Sequence, residues 1–199
     1  VRAVATVLYE DQRAPQRTRF GPHALVIACV ADETGTDRWT LEKRIEGIPK
    51  KGDSKLLWAV REDAANLTHD GRALVAVFDD DRVRKLLGLD GRACKTLVKE
   101  AIAAGGTAGT LLEVVLLQRN IEDVVVAAAR ALGRPMDDPQ VVRALGKHAG
   151  HPEARDAILH AAAASADVAV RQAILAAVPS FARVVRGLVA RAGAAEARG

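Results

Sequence analysis

Aromatic residues make up only 3% of this 199-residue chain: two Trp, one Tyr and three Phe. A core must therefore be built from Val, Leu, Ile and Ala, and the composition argues against the stacking platforms that hold single-stranded nucleic acid. Cysteine is nearly absent too. Cys29 and Cys94 are the only two, too few for a disulfide framework or a four-ligand zinc site. No apolar run approaches the roughly 20 residues of a membrane-spanning helix, and the opening Val-Arg-Ala-Val does not read as a secretory leader. The expectation is a soluble chain in a reducing, cytoplasmic compartment, away from membranes. A Gly-x-x-x-x-Gly-Lys-Ser/Thr phosphate loop is also missing, so any ATPase in the reaction is a separate partner.

What is present is ordinary for a globular protein: 49% hydrophobic and 27% charged residues, too apolar for disorder along the whole length. The 29 Lys and Arg exceed the 25 Asp and Glu by four, giving a net charge of +4, which tolerates nucleic acid without demonstrating it. The length suits one sizeable domain, or a domain with a smaller appendage. Near Arg134-Pro135 the pattern changes: before it, β-branched runs alternate with helical spacing; after it, only helical spacing remains. The expected division is an α/β domain over 1–134 and an Ala-rich helical tail or subdomain over 135–199.

Val4-Ala-Thr-Val-Leu-Tyr9 reads as a strand. Gly21-Pro22 opens an apolar stretch, His23 to Ala31, that suits a helix because Pro favours the first helical turn; a strand through Leu25–Val30 is the alternative. Trp39 to Arg44 looks helical and Ile45–Ile48 forms a short strand before a break at Pro49-Lys-Lys-Gly52. Asp53-Ser54 caps a helix to about Leu67. Ala73-Leu-Val-Ala-Val-Phe78 is fully apolar, as a central parallel strand should be. A helix carrying Cys94 on its apolar face follows Asp90-Gly91, then a strand over Leu111–Leu117 and a helix over Ile121–Leu132. Strands and helices alternating in this way predict a three-layer fold around a mainly parallel sheet. The tail reads as helices over roughly 139–149, 153–164, 167–177 and 180–192, separated in part by Pro152 and Pro179, with Asp138, Asp167 and Ser180 as caps.

In such a sheet, ligands sit beyond the carboxyl ends of the strands. The first strand ends in Glu10-Asp11, the central one in Asp79-Asp80-Asp81-Arg82, and the last is followed by Glu122 and Asp123. In an extended Asp-x-Asp segment, alternate side chains share a face, so Asp79 and Asp81 converge. Clustered carboxylates repel unless a cation neutralises them, and an all-oxygen set suits magnesium or manganese. Such an ion polarises a phosphoryl oxygen and orients an attacking hydroxide, with Glu10 as ligand, general base or acid. The bland alternative is that these acids solvate loops or cap helices; for Glu122, in a helix's first turn, the dipole alone accounts for an acid.

A strand ending in Glu (Val7-Leu-Tyr-Glu10) followed by one ending in Asp-x-Asp (Val75-Ala-Val-Phe-Asp79-Asp-Asp81) resembles the TOPRIM domain of topoisomerases, primases and related nucleases. With Ile45-Glu-Gly-Ile-Pro-Lys-Lys-Gly52 before a helix and Asn120-Ile-Glu122 after the last strand, the layout over about 4–132 is more similar to the stand-alone TOPRIM-like proteins of the OLD and RloB kind. The resemblance implies Mg2+ or Mn2+ at Glu10, Asp79 and Asp81, with Glu122 as a fourth ligand, phosphodiester cleavage of DNA or RNA, and a role in defence against phage. The chain departs from the family in having Asp11-Gln12-Arg13 after Glu10 where a glycine is common, and in lacking a topoisomerase-type tyrosine; Tyr9 lies inside a strand and reads as packing.

Arg13, Arg17, Arg19, Lys51, Arg82 and Arg84 are the candidates to clamp phosphate. Lys50, Lys51 and Lys55 beside Gly52 also suit a phosphate at a helix start, or simply a solvated basic turn. His148, His151 and His160 have no nearby acid or cysteine cluster, Cys29 and Cys94 read as buried thiols, and Trp39 and Trp58 as core or subdomain contacts. Two other functions compete with the nuclease. One is a non-catalytic binding or assembly module with a vestigial acidic site, its tail docked to a partner or a second copy of the chain. The other is a haloacid-dehalogenase-like phosphatase, from Asp79-Asp-Asp-Arg-Val83.

Overall fold

The computed structural model describes residues 3–11, 21–62, 72–79, 112–117, 121–146 and 151–196. Four strands, β1 (Ala5–Asp11), β2 (Ile45–Lys51), β3 (Ala73–Asp79) and β4 (Leu112–Leu117), form one sheet in the order β2-β1-β3-β4. All three pairings are parallel, so the chain is an α/β protein. The first half adds helices α1 (Gly21–Thr34), α2 (Arg38–Arg44) and α3 (Asp53–Glu62). The second half adds α4 (Ile121–Ala131), α5 (Pro139–Leu145), α6 (His151–Ala164), α7 (Val168–Ala177) and α8 (Pro179–Glu196). Among the described residues no single helix is long and apolar enough to cross a membrane.

Side-chain alternation sorts the layers. Ala5, Val7 and Tyr9 of β1 and Ala73, Val75 and Val77 of β3 share one apolar cluster with α1 and with α4 to α8. Leu74, Ala76 and Phe78 are buried outside that cluster, on the face where α3 packs with Leu56 and Val60. β3 is buried at every position, the signature of a strand covered on both sides. Each fully buried Leu, Ile or Val contributes about 1.5–3 kcal/mol, and α1 alone buries Leu25, Val26, Ile27 and Val30. The helical choice for this segment therefore holds over the strand alternative.

Helix α6 packs directly on α1, α8 packs on both α1 and β4, and α4 packs on α6 and α7. Their approach at one crossing is close: a Cβ on Gly21 would lie 2.8 Å from the Asp156 Cα and 3.0 Å from its carbonyl oxygen. Glycine is the residue that lets the start of α1 and the first turns of α6 touch backbone to backbone.

Four local expectations change. Pro49 does not break the chain; β2 runs through it to Lys51, because β2 is an edge strand whose outer side needs no N–H donor. Ser180 is not a cap but the second residue of α8, its hydroxyl buried without a hydrogen-bond partner. Pro179 starts that helix, and the first helical bond runs from the Ala182 N–H to the Val178 carbonyl. Trp39 and Trp58 are not core residues: they are 65% and 60% exposed, with the Lys43 ammonium over the Trp39 ring at 3.1 Å from its centroid. Asp138 and Asp167 do cap α5 and α7, accepting from the Gln140 and Ala169 N–H groups. The expected helix around Cys94 lies outside the described residues.

Candidate active-site cleft

The strand order places a switch point between β1 and β3: the chain leaves β1 for β2 on one side, and β3 for β4 on the other. Strand ends splay there, which is where open α/β sheets bind ligands. Tyr9 pairs with Val77 in the register, so Glu10 and Asp79 sit one and two residues further along, at the two carboxyl ends. Both line one cleft, with Tyr9, Val77 and Leu117 from the sheet, Pro22 from α1, Ile121 from α4 and Arg155 from α6. The cleft measures about 270 Å3 including its open mouth. Asp79 is 5% exposed and Glu10 is half-buried. Pro22 and Ile121 belong to the first turns of α1 and α4, so two helix starts, the positive ends of their dipoles, border the carboxylates.

Of the residues singled out in the sequence, Glu10 and Asp79 both border this cleft; strand alternation places Asp79 on the sheet face of Tyr9 and Val77 and Glu10 on the opposite face, with Leu8. Glu122 does not line the cleft; its Oε1 lies 3.7 Å from the Nε2 of His151, the first residue of α6. Lys50 stands beside Glu10 in the β1–β2 register, and Lys55 is exposed. Asp81, Arg13, Arg17, Arg19, Arg82 and Arg84 lie outside the described residues, as does His148, and the Lys51 side chain is likewise not described. Among the described residues there is no cluster of three or more His, Cys, Asp or Glu side chains arranged for a metal. The described polar groups bordering the cleft are Glu10, Asp79 and Arg155; the two carboxylates are oxygen donors of the kind magnesium takes, an ion commonly held by one or two carboxylates that keeps several waters.

The sequence reading missed Arg155. It is 5% exposed and reaches the cleft from α6, with its Nε 3.7 Å from the Asp156 Oδ1. A signal was available: Arg155, Ile158, Leu159 and Ala162 are all buried and follow the spacing of a helix's apolar face, so this arginine occupies a core position.

Tyr9 is fixed from behind. Its hydroxyl donates to Nδ1 of His23, 3.0 Å away, and the His23 Nε2–H donates to the Ile45 carbonyl at 3.2 Å. Gly47 makes room for the ring, since a Cβ there would lie 2.4 Å from the imidazole Cγ. Burial keeps the Tyr9 hydroxyl well above its ordinary pKa of 10, so it stays protonated and serves as packing, not as a nucleophile. Cys29 is also inert: burial, then the nearby Asp32 charge, pushes its thiol up to about 12.

Burial pulls His23 down from 6.5 to about 4. Its unfolded form takes up a proton near pH 6.5 and its folded form only near 4, so stability falls as pH drops through that window. The slope reaches about 1.4 kcal/mol per pH unit, about 3 kcal/mol in all. Urea unfolding across the window should therefore show a steeper loss for the native chain than for His23→Gln, which has no proton to gain. Parallel curves would show that His23 is not held neutral.

No family model matches the chain, and neither a curated protein nor a solved structure matches it.

Proposed function

We propose that the chain is a magnesium- or manganese-dependent nuclease of TOPRIM-like build, hydrolysing phosphodiester bonds of DNA or RNA. The observation that supports this reading is that Glu10 and Asp79, at the carboxyl ends of β1 and β3, both border one cleft at the switch point. Glu10 and Asp79 would hold the divalent ion, with Asp81 completing the Asp-x-Asp pair as the resemblance implies. The ion supplies charge stabilisation for a phosphoryl oxygen. Where Asp79 and Asp81 hold the ion without it, half-buried Glu10 would instead be the general acid/base, taking the proton of the attacking water and returning it to the leaving sugar oxygen as the phosphorus–oxygen bond breaks. Water is thereby divided between the two products, a phosphate end and a hydroxyl end. The basic residues Arg13, Arg17, Arg19, Lys51, Arg82 and Arg84 guide the backbone, and an ATPase partner, a phage-defence role and a cytoplasmic setting belong to the same proposal.

Arg155 favours a second reading. A guanidinium in the same cleft neutralises part of the carboxylate charge without any metal, as a non-catalytic binding module would require. Melting the metal-free chain with and without millimolar Mg2+ or Mn2+ separates the two. The nuclease reading expects a rise of about 5 °C or more once the ion exceeds its Kd a hundredfold, together with cleavage of single- or double-stranded DNA or RNA. A midpoint that moves no more than it does with plain salt supports the binding module.

A further inference from the structure

We infer that Trp39 and Trp58 are stacking sites for unpaired bases, so that a single strand of DNA or RNA lies along the β2 edge of the sheet. The inference deepens the nuclease reading by naming the form of its substrate, and rests on that reading only for the choice of nucleic acid. No metal enters it. The chain has only two tryptophans, and both stand in water, 65% and 60% exposed. So few aromatic residues cannot build an extended platform, but a stacking site needs only an open indole face. The two flank the edge strand: Trp39 is on α2, which leads into β2, and Trp58 is on α3, which follows it. Each has a lysine one helical turn away. The Lys43 ammonium covers one face of the Trp39 ring, 3.1 Å from its centroid, and exposed Lys55 precedes Trp58 by three residues.

Charge and backbone chemistry choose the occupant. From Asp37 to Trp58 six Lys and Arg stand against four Asp and Glu, a net of +2 in 22 residues where the whole chain has +4 in 199. Two of the four acids are already engaged. Asp37 accepts from the Thr40 N–H at 2.9 Å and its hydroxyl at 2.6 Å, and the Glu46 Oε2 lies 3.8 Å from the Arg72 Nη1. The surface therefore suits a polyanion. A peptide strand added to this sheet edge would need backbone donors, and Pro49 removes one from β2. Acidic side chains also carry no ring to lay on an indole. A single-stranded nucleic acid offers a phosphate to each ammonium and a π-face to each indole, whatever its sequence. A duplex hides its base faces in its own stack.

The test uses the full chain in EDTA, which prevents metal-dependent cleavage. Tryptophan emission is titrated with oligo(dT) and oligo(U) of about ten nucleotides, with a duplex of equal length, and with polyglutamate. The expected result is saturable quenching by the single strands, with duplex and polyglutamate about tenfold weaker or worse. Trp58→Phe leaves Trp39 as the sole reporter, Trp39→Phe leaves Trp58, and quenching should persist in both. By anisotropy of a labelled oligonucleotide, Trp39→Ala and Trp58→Ala should each bind between about fivefold and a hundredfold more weakly. Both sites are exposed, so the melting midpoints should stay close to that of the native chain. Lys55→Gln should make the salt dependence shallower by about 0.7 in log–log slope, one phosphate contact. The inference is overturned by no quenching with either single strand, or by equal quenching with duplex or polyglutamate. Native affinity in either alanine variant also overturns it, since the strand then does not run between the two indoles. Binding through both tryptophans in a chain that cleaves nothing with Mg2+ or Mn2+ supports the inference while removing the nuclease reading. Cleavage by a chain whose tryptophans do not respond does the reverse.

Discussion

Asp79→Asn is expected to lower metal-dependent cleavage about a thousandfold, equivalent to about 4 kcal/mol of transition-state stabilisation. Asparagine keeps the shape at a position that is 5% exposed, but it replaces a charged oxygen with an amide whose N–H2 repels a cation. The Mn2+-induced rise in melting midpoint should vanish with the activity, since both depend on the same oxygen atoms. On the sequence alone, removing one of several repelling carboxylates leaves stability unchanged or raises it, for Asp81→Asn as for Asp79→Asn. The structure adds an opposing interaction. Arg155 shares the cleft, so the variant loses attraction to the guanidinium along with repulsion from Glu10. The metal-free stability should accordingly stay within about 1 kcal/mol of the native chain's. A variant keeping more than a tenth of the native rate with metal in excess removes Asp79 from the machinery.

The strands were legible because their physics is local. Ala73–Phe78 has no polar residue to place, so a strand covered on both faces was the consistent solution, and it is the interior β3. The position of Glu10 and Asp79 at strand ends was legible for the same reason: each closes an apolar strand whose end the sequence marks. Pro49 was misread because a break signal ignores which strands lie at an edge, and edge position is a property of the whole sheet. Trp39 and Trp58 read as core or subdomain contacts because large aromatic surfaces are usually covered, yet both are exposed, Trp39 on a short helix with Lys43 over its ring. The arginines were hidden for a different reason. Arg155 stands at core spacing with Ile158, Leu159 and Ala162, but hydropathy alone scores an arginine as solvent-facing, and the acceptors that allow a guanidinium to be buried are brought together only by the tertiary structure.

Those acceptors change the reading of the second half of the chain. The sequence marks it off as a tail or subdomain from residue 135, but its apolar residues, Val141, Ile158, Leu159, Ile174 and Leu188 among them, share the cluster that includes β1, β3 and α1. Small side chains make this possible. Ala154, Ala162 and Ala163 are buried on α6, and the close crossing at Gly21 follows from the lack of bulk on both helices. The region thus covers one face of the sheet while delivering Arg155 to the strand ends.

Arg171→Ala should be the most destabilising single change in this helical layer, by about 3–5 kcal/mol. Arg171, on α7, is 2% exposed. Its Nε and Nη2 fork onto the two carboxylate oxygens of Asp32 in the last turn of α1, with Nη2 3.0 Å from Oδ1. Its Nη1 donates to the carbonyls of Ala162, Ala163 and Ser165 at 3.2, 3.3 and 2.7 Å, helping to satisfy the last turn of α6 and the residue that follows it. One side chain therefore ties α1, α6 and α7 together. Truncation to alanine strands a carboxylate and a set of partly buried carbonyls, besides leaving a cavity. Arg171→Lys keeps the charge but cannot address Asp32 and the helix end at once, so it should recover less than half of the loss. Urea unfolding of the three proteins gives the numbers. A loss below about 1 kcal/mol for Arg171→Ala, the range of exposed ion pairs, would mean that α7 is held by its apolar contacts alone, with Ile174 and Val178 in place of the guanidinium as its anchor.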